Sequence, residues 1–250
     1  MLLKLRKIQS FSIVLLLCNS FLIIDRTLAQ STPSIEIAQA NSVDMTYNQM
    51  NQSMNSAFQE IIPFLSALQQ IEKIETDEQL LSLAQQLTPV ATRITNNFTQ
   101  AYNSGEKMLP MLPQGTIETE YMGTIVTLNG LGALAFTPWI EILNSIQQAY
   151  QTQNANQLKQ TLERMPEATN KLIQFAGQAQ SVAQQGQQIQ TALNAQNSAT
   201  NNNMTPAELQ MRSNMSRMAH ETNMSIINNM GSSGEWQHNY STGQDEYKYY

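Results

Sequence analysis

The chain has 250 residues, of which 41% are hydrophobic and 13% charged, with one Cys, two His and a formal net charge of −6. That is room for one or two ordinary domains. Without an excess of Lys and Arg there is no surface for a phosphate backbone, and one Cys excludes an intrachain disulfide framework or a Cys-based zinc site.

The amide content is the unusual feature. There are 31 Gln and 23 Asn, against 13 basic and 19 acidic side chains.

The N-terminus reads as a secretory signal over residues 1–29. Lys4, Arg6 and Lys7 form a positive start, Phe11 to Ile24 an apolar run, and Thr27-Leu28-Ala29 a small-residue cleavage site before Gln30. Ala38-Gln39-Ala40 also fits the small-residue pattern but lies farther from the apolar run. A bilayer span needs roughly 20 apolar residues, so the shorter run here predicts removal and no stable membrane span afterwards. Leu17 before Cys18 is too large for a lipoprotein site. Cleavage would leave a Cys-free, more acidic chain, which suits an oxidising compartment. Residues 30–41 read as a flexible N-terminal segment.

From 42 to 195 the apolar residues recur at steps of three and four, the spacing of one helix face. The first stripe runs from Tyr47 through Met50, Met54, Phe58 and Ile61 to Leu68. Leu80, Leu87, Ile94 and Phe98 carry the second. Tyr121, Ile125, Leu128, Gly132, Ala135, Trp139, Ile142, Ile146 and Ala149 belong to the third. Met165, Ala168, Leu172, Phe175, Ala179, Val182, Gly186, Ile189 and Leu193 mark the fourth. Pro63 and Pro89 fall opposite their stripes, where a proline bends a helix without entering its seam. Thr76 with Gln79 has the pattern of a capping box, and Asn154 with Gln157 a looser form of it.

Residues 68–80 and 146–158 match at an offset of 78, and Pro89 and Phe98 align with Pro166 and Phe175 after one residue of slippage. These features predict an all-α fold: an antiparallel four-helix bundle made of two αα-hairpins.

The third stripe is ambiguous. No charge occurs from Tyr121 to Ile140, and Asn129-Gly130 is a hairpin-turn signal. Because the stripe passes unbroken through that dipeptide, we read one helix. Val126, Leu131, Leu134, Ile140 and Leu143 lie off its stripe, which predicts the most buried helix of the set, with Gly130 to Ala135 allowing close approach.

Residues 196–204 read as a polar linker. Thr205, Pro206 and Glu208 then restart a helix, which should end near Met230, before Gly231. Over 205–250 this short helix is followed by a small hairpin-like tail with Trp236, His238, Tyr240, Tyr247 and Tyr249 on one aromatic face.

No phosphate loop, nucleophile elbow, His-Glu-x-x-His or Glu-x-x-His motif occurs. The reading is a non-enzymatic, exported protein without a cofactor. It would act structurally or by binding an envelope or extracellular protein, with the tail aromatics as contact residues and no role for nucleic acid. Two alternatives carry specific residues. Met211, Met215 and Met218 share a helix face and offer soft thioether ligands to Cu(I), although packing explains them as well. A bundle enclosing a small apolar ligand near Gly130–Ala135 is the other.

Overall fold

The structure, a computed structural model, describes residues 34–199, 206–230, 235–239 and 244–248. Its body is all-α. The helices are α1 (Ser34–Leu68), α2 (Asp77–Met108), α3 (Ile117–Gln151), α4 (Ala155–Glu163), α5 (Met165–Ala199) and α6 (Pro206–Met230). After α6, β1 (Glu235–Asn239) and β2 (Gln244–Lys248) pair antiparallel. The segment read as a signal lies outside the described residues.

Sequence dictates most helix starts. Thr76 accepts from the Gln79 amide at 3.3 Å while the Gln79 side chain takes the Thr76 amide at 3.2 Å, a complete capping box. Asn154 accepts from the Gln157 amide at 3.0 Å, but the Gln157 side chain turns to Gln148 instead. Thr116 caps α3 through the Thr119 amide. Asp77, Glu78, Glu118 and Glu120 occupy first turns, where carboxylates oppose the helix dipole.

One aromatic cluster joins four helices. Phe58 of α1, Phe98 of α2, Phe136 of α3 and Phe175 of α5 lie with ring centroids 5.3–6.5 Å apart. Phe64 and Trp139 extend it along α1 and α3. All six are buried. Contacts run antiparallel between successive long helices: Arg93 pairs with Glu60 while Gly105 lies by Met50, and Gln147 bonds Thr88 while Gly105 lies by Val126. Tyr121 likewise reaches Val182 while Phe136 meets Phe175.

The nine stripe residues of α3 are all buried, and the helix runs unbroken through Asn129-Gly130. Among the described residues α3 is long and apolar enough to cross a bilayer, yet half of its most apolar stretch is buried in the protein. Leu134 departs from the expectation of burial and is 67% exposed. It lies on the outward face with Thr127 and Thr137, away from the α2 rings.

Pro63 and Pro89 sit exposed inside continuous helices, on the faces the periodicity gave them. The fourth helix differs. Its start at Asn154 leads only into α4, and a turn at Arg164, two residues before Pro166, separates α4 from α5, which holds the whole fourth stripe. Proline has no amide for the Leu162 carbonyl and its ring crowds that group; the Arg164 amide bonds Leu162 and Thr161 there instead. Two boundaries also move. α1 starts at Ser34, within the segment read as flexible, and α5 continues to Ala199, within the segment read as linker. Neither 34–41 nor 196–199 contains a Gly or Pro to stop a helix, and Ala and Gln propagate one well.

Close helix approach depends on Gly132. A Cβ there would lie 2.8 Å from the Phe98 ring, while a Cβ at Gly177 of α5 would meet nothing within 4 Å. Gly132→Ala should therefore lower stability by about 1–3 kcal/mol through overpacking, and Gly177→Ala should raise it by about 0.5–1 kcal/mol. Urea midpoints measure both. Equal shifts of the same sign would contradict this packing.

Candidate functional site

The seam between α6 and the body combines apolar packing with a buried polar contact. Met215, Met218, Ala219 and Ile226 are buried on the face that sequence spacing defines. Tyr47, on the α1 stripe, places its hydroxyl 2.9 Å from the Met218 carbonyl, to which it donates. It also lies 3.1 Å from Thr222 Oγ1 and 3.3 Å from Glu221 Oε2. Arg217 bonds Glu221 on its own helix and Asp44 on α1 at 3.3 Å. A fully buried tyrosine hydroxyl needs a partner. Here that partner comes from a helix 171 residues later in the chain.

Farther along the seam, α3, α5 and α6 meet at Gly186. A Cβ at Gly186 would fall 2.6 Å from Asn223 Cγ and would collide with the Tyr121 hydroxyl. Tyr121 donates to the Val182 carbonyl at 3.4 Å. The small residue thus leaves room for the Tyr121 hydroxyl and the Asn223 side chain against the α5 backbone. Sequence spacing marked Tyr47, Tyr121 and Gly186 as seam residues. It carried no signal for which helix their polar atoms would reach, because the contacts span distant parts of the chain.

Of the residues with a possible ligand role, Met215 and Met218 lie in this packed seam, and the side chain of Met211 is outside the described part of the structure. His220 is half-buried on an adjoining face. Among the described residues, no three of His, Cys, Asp and Glu stand close enough to hold a metal ion. The space beside Gly130 and Gly132 is occupied by the rings of Tyr102 and Phe98. In the tail, the strand register sets Trp236 opposite Tyr247 and His238 opposite Asp245. Tyr240 and Tyr249 lie outside the described residues.

Among the described residues, three clefts are open to solvent. One, of about 250 Å3, lies between α3 and the α4–α5 junction, with Leu134 and Pro138 on one wall. The Arg164–Glu141 ion pair (2.6 Å) is at its edge. Another, of about 400 Å3, lies by Asp77, Tyr150 and Asn154. Burial pushes the Tyr150 hydroxyl up to about 12, and the nearby carboxylates of Asp77 and Glu78 add to the shift. The last, of about 460 Å3, lies between α3 and α5 and is lined by Ile117, Glu120, Thr124, Gln185 and Ile189. Such rims can hydrogen-bond and pack. No protein-family model, curated protein or solved structure matches the chain.

The seam has a pH signature. Burial raises the Tyr47 and Tyr121 hydroxyls well above the usual tyrosine range; at Tyr47 the Thr222 hydrogen bond opposes this and Glu221 reinforces it. The folded values exceed the unfolded value of about 10. Their stabilisation is therefore complete below about pH 10 and falls as pH rises through the folded values. Above about pH 10 the urea midpoint should drop, and the Tyr47→Phe/Tyr121→Phe double variant should drop less steeply. At neutral pH, Tyr47→Phe alone should cost about 1–2 kcal/mol. Parallel pH profiles for parent and double variant would contradict the assignment.

Proposed function

We propose that the chain is an exported, non-enzymatic helical protein that acts by binding another protein of the cell envelope or extracellular space. In this reading the fold is an antiparallel four-helix bundle formed by α1, α2, α3 and the α4–α5 arm. α6 lies along it and carries the aromatic tail. The leader at residues 1–29 directs export and is removed before Gln30.

The observation that carries the proposal is the division of labour along the helices. Large apolar side chains are spent on the core, while outer faces carry amides. On α5, Gln174, Gln178, Gln184, Gln185 and Gln188 are all exposed, and no charged residue occurs from Leu172 to Ala199. An amide both donates and accepts, so such a face associates through many weak directional bonds rather than a few charge pairs. The same chemistry already works inside the protein: Gln147 of α3 donates to Thr88 Oγ1 of α2 at 2.7 Å. Paired with this surface, the tail residues Trp236 and Tyr247 are of the types that anchor interfaces.

The test uses the processed chain as bait on cross-linked envelope extract, beside a Trp236→Ala/Tyr247→Ala variant. Capture of a reproducible partner by the parent, reduced at least roughly tenfold in the variant, is expected if these aromatics are hot spots. Absence of any partner would count against an interaction role. N-terminal sequencing of the product from a secreting host should begin at Gln30, and an unprocessed Met1 would contradict export by cleavage.

A further inference from the structure

The outward side of α3 and α5 is a long uncharged part of the described surface; α1 from Met45 to Gln59 is a shorter one. Neither α3 from Tyr121 to Ile140 nor α5 from Leu172 to Ala199 carries a charge. Thr127, Leu134 and Thr137 are exposed on the first, and Gln174, Gln178 and Gln185 on the second. The two helices line both clefts that bound this face, so it is continuous from one cleft to the other. It also holds a protrusion and a recess of opposite form. Leu134 stands 67% exposed. The recess of about 460 Å3 has Ile117 and Ile189 on its walls and Glu120, Thr124 and Gln185 at its rim.

We propose that this face is the contact of a two-fold symmetric dimer of the chain. Two copies with net charge −6 repel each other over most orientations, and an uncharged face is where that repulsion is weakest. An isologous contact must be self-complementary. A row of Gln and Thr meets this condition because each group donates and accepts. The protrusion and recess meet it geometrically. With the axis at Thr127, antiparallel α3 helices bring Leu134 of one copy to the level of Glu120 in the other, at the mouth of the recess. At 1.5 Å per residue, the uncharged stretch of α3 from Tyr121 to Ile140 is about 28 Å long, and two adjacent helices are about 20 Å wide. The face is thus about 570 Å2, at the low end of the roughly 600–1,000 Å2 per partner of specific interfaces, which fits a weak dimer. This inference does not rest on export or on a foreign partner, so it stands or falls apart from the proposal above.

The experiment uses the chain from Gln30 onward, which contains every described element and no Cys. Sedimentation equilibrium should show a dimer by about 50 µM, within the range such interface areas support. Leu134→Glu should weaken it by roughly tenfold or more, with an unchanged helical circular dichroism spectrum. Met45→Glu, at another exposed apolar residue (70%) on α1, should leave dimerisation unaltered. Thr127→Cys, at the axis, should oxidise to a covalent dimer faster than Thr99→Cys on the exposed side of α2. A monomer at every concentration, a dimer indifferent to Leu134→Glu, or equal cross-linking at Thr127 and Thr99 would overturn the proposal. So would a monomer that floats with phosphatidylglycerol vesicles, which would assign the face to a lipid surface.

Discussion

The contact among Phe58, Phe98, Phe136 and Phe175 is the constraint on which the rest of the structure depends. These rings come from four helices and meet edge to face, tilted or, for Phe58 and Phe175, stacked, at centroid separations of 5.3–6.5 Å. Each such pair contributes about 0.5–1.5 kcal/mol beyond the burial of its surface. Their positions also fix the registers of the helices. Gly132 has no side chain because the Phe98 ring occupies its place, and Gln147 meets Thr88 because the same alignment carries on along α2 and α3.

α6 is attached by a different physics. Its buried apolar residues, among those described, are Met215, Met218, Ala219 and Ile226, and the bonds that orient it are polar: Tyr47 to the Met218 carbonyl and Thr222, and Arg217 to Asp44. Methionine packs adaptably and specifies a position loosely. The hydroxyl of Tyr47 supplies the specificity that the methionines lack. The exposed ion pair adds little by itself. A helix held in this way contributes less to global stability than the aromatic cluster does.

Periodicity made much of this legible. The stripes of three and four residues identified the seam on α3 at all nine positions. Pro63 and Pro89 were placed on outer faces for the same reason. The repeat near residues 68–80 and 146–158 corresponds to two capped helix starts, at Thr76 and Asn154, and its aligned phenylalanines touch in the core.

What periodicity could not resolve was context. Pro89 and Pro166 have similar local surroundings, but Pro89 lies deep inside a long helix packed along its length. Pro166 follows a nine-residue arm that swings to bury Leu158 and Thr161, so the chain turns at Arg164. Leu134 also misled, since an apolar residue in an uncharged helix says nothing about which neighbour covers it. The site was least legible of all, because the partners of Tyr47 lie more than 170 residues away. Native-state hydrogen exchange tests the central claim most directly. Amides beside Phe98, Phe136 and Phe175 should exchange only through global unfolding, while those of α6 open at lower free energy. Protection of α6 equal to that of the cluster, or earlier opening at the cluster, would contradict the account.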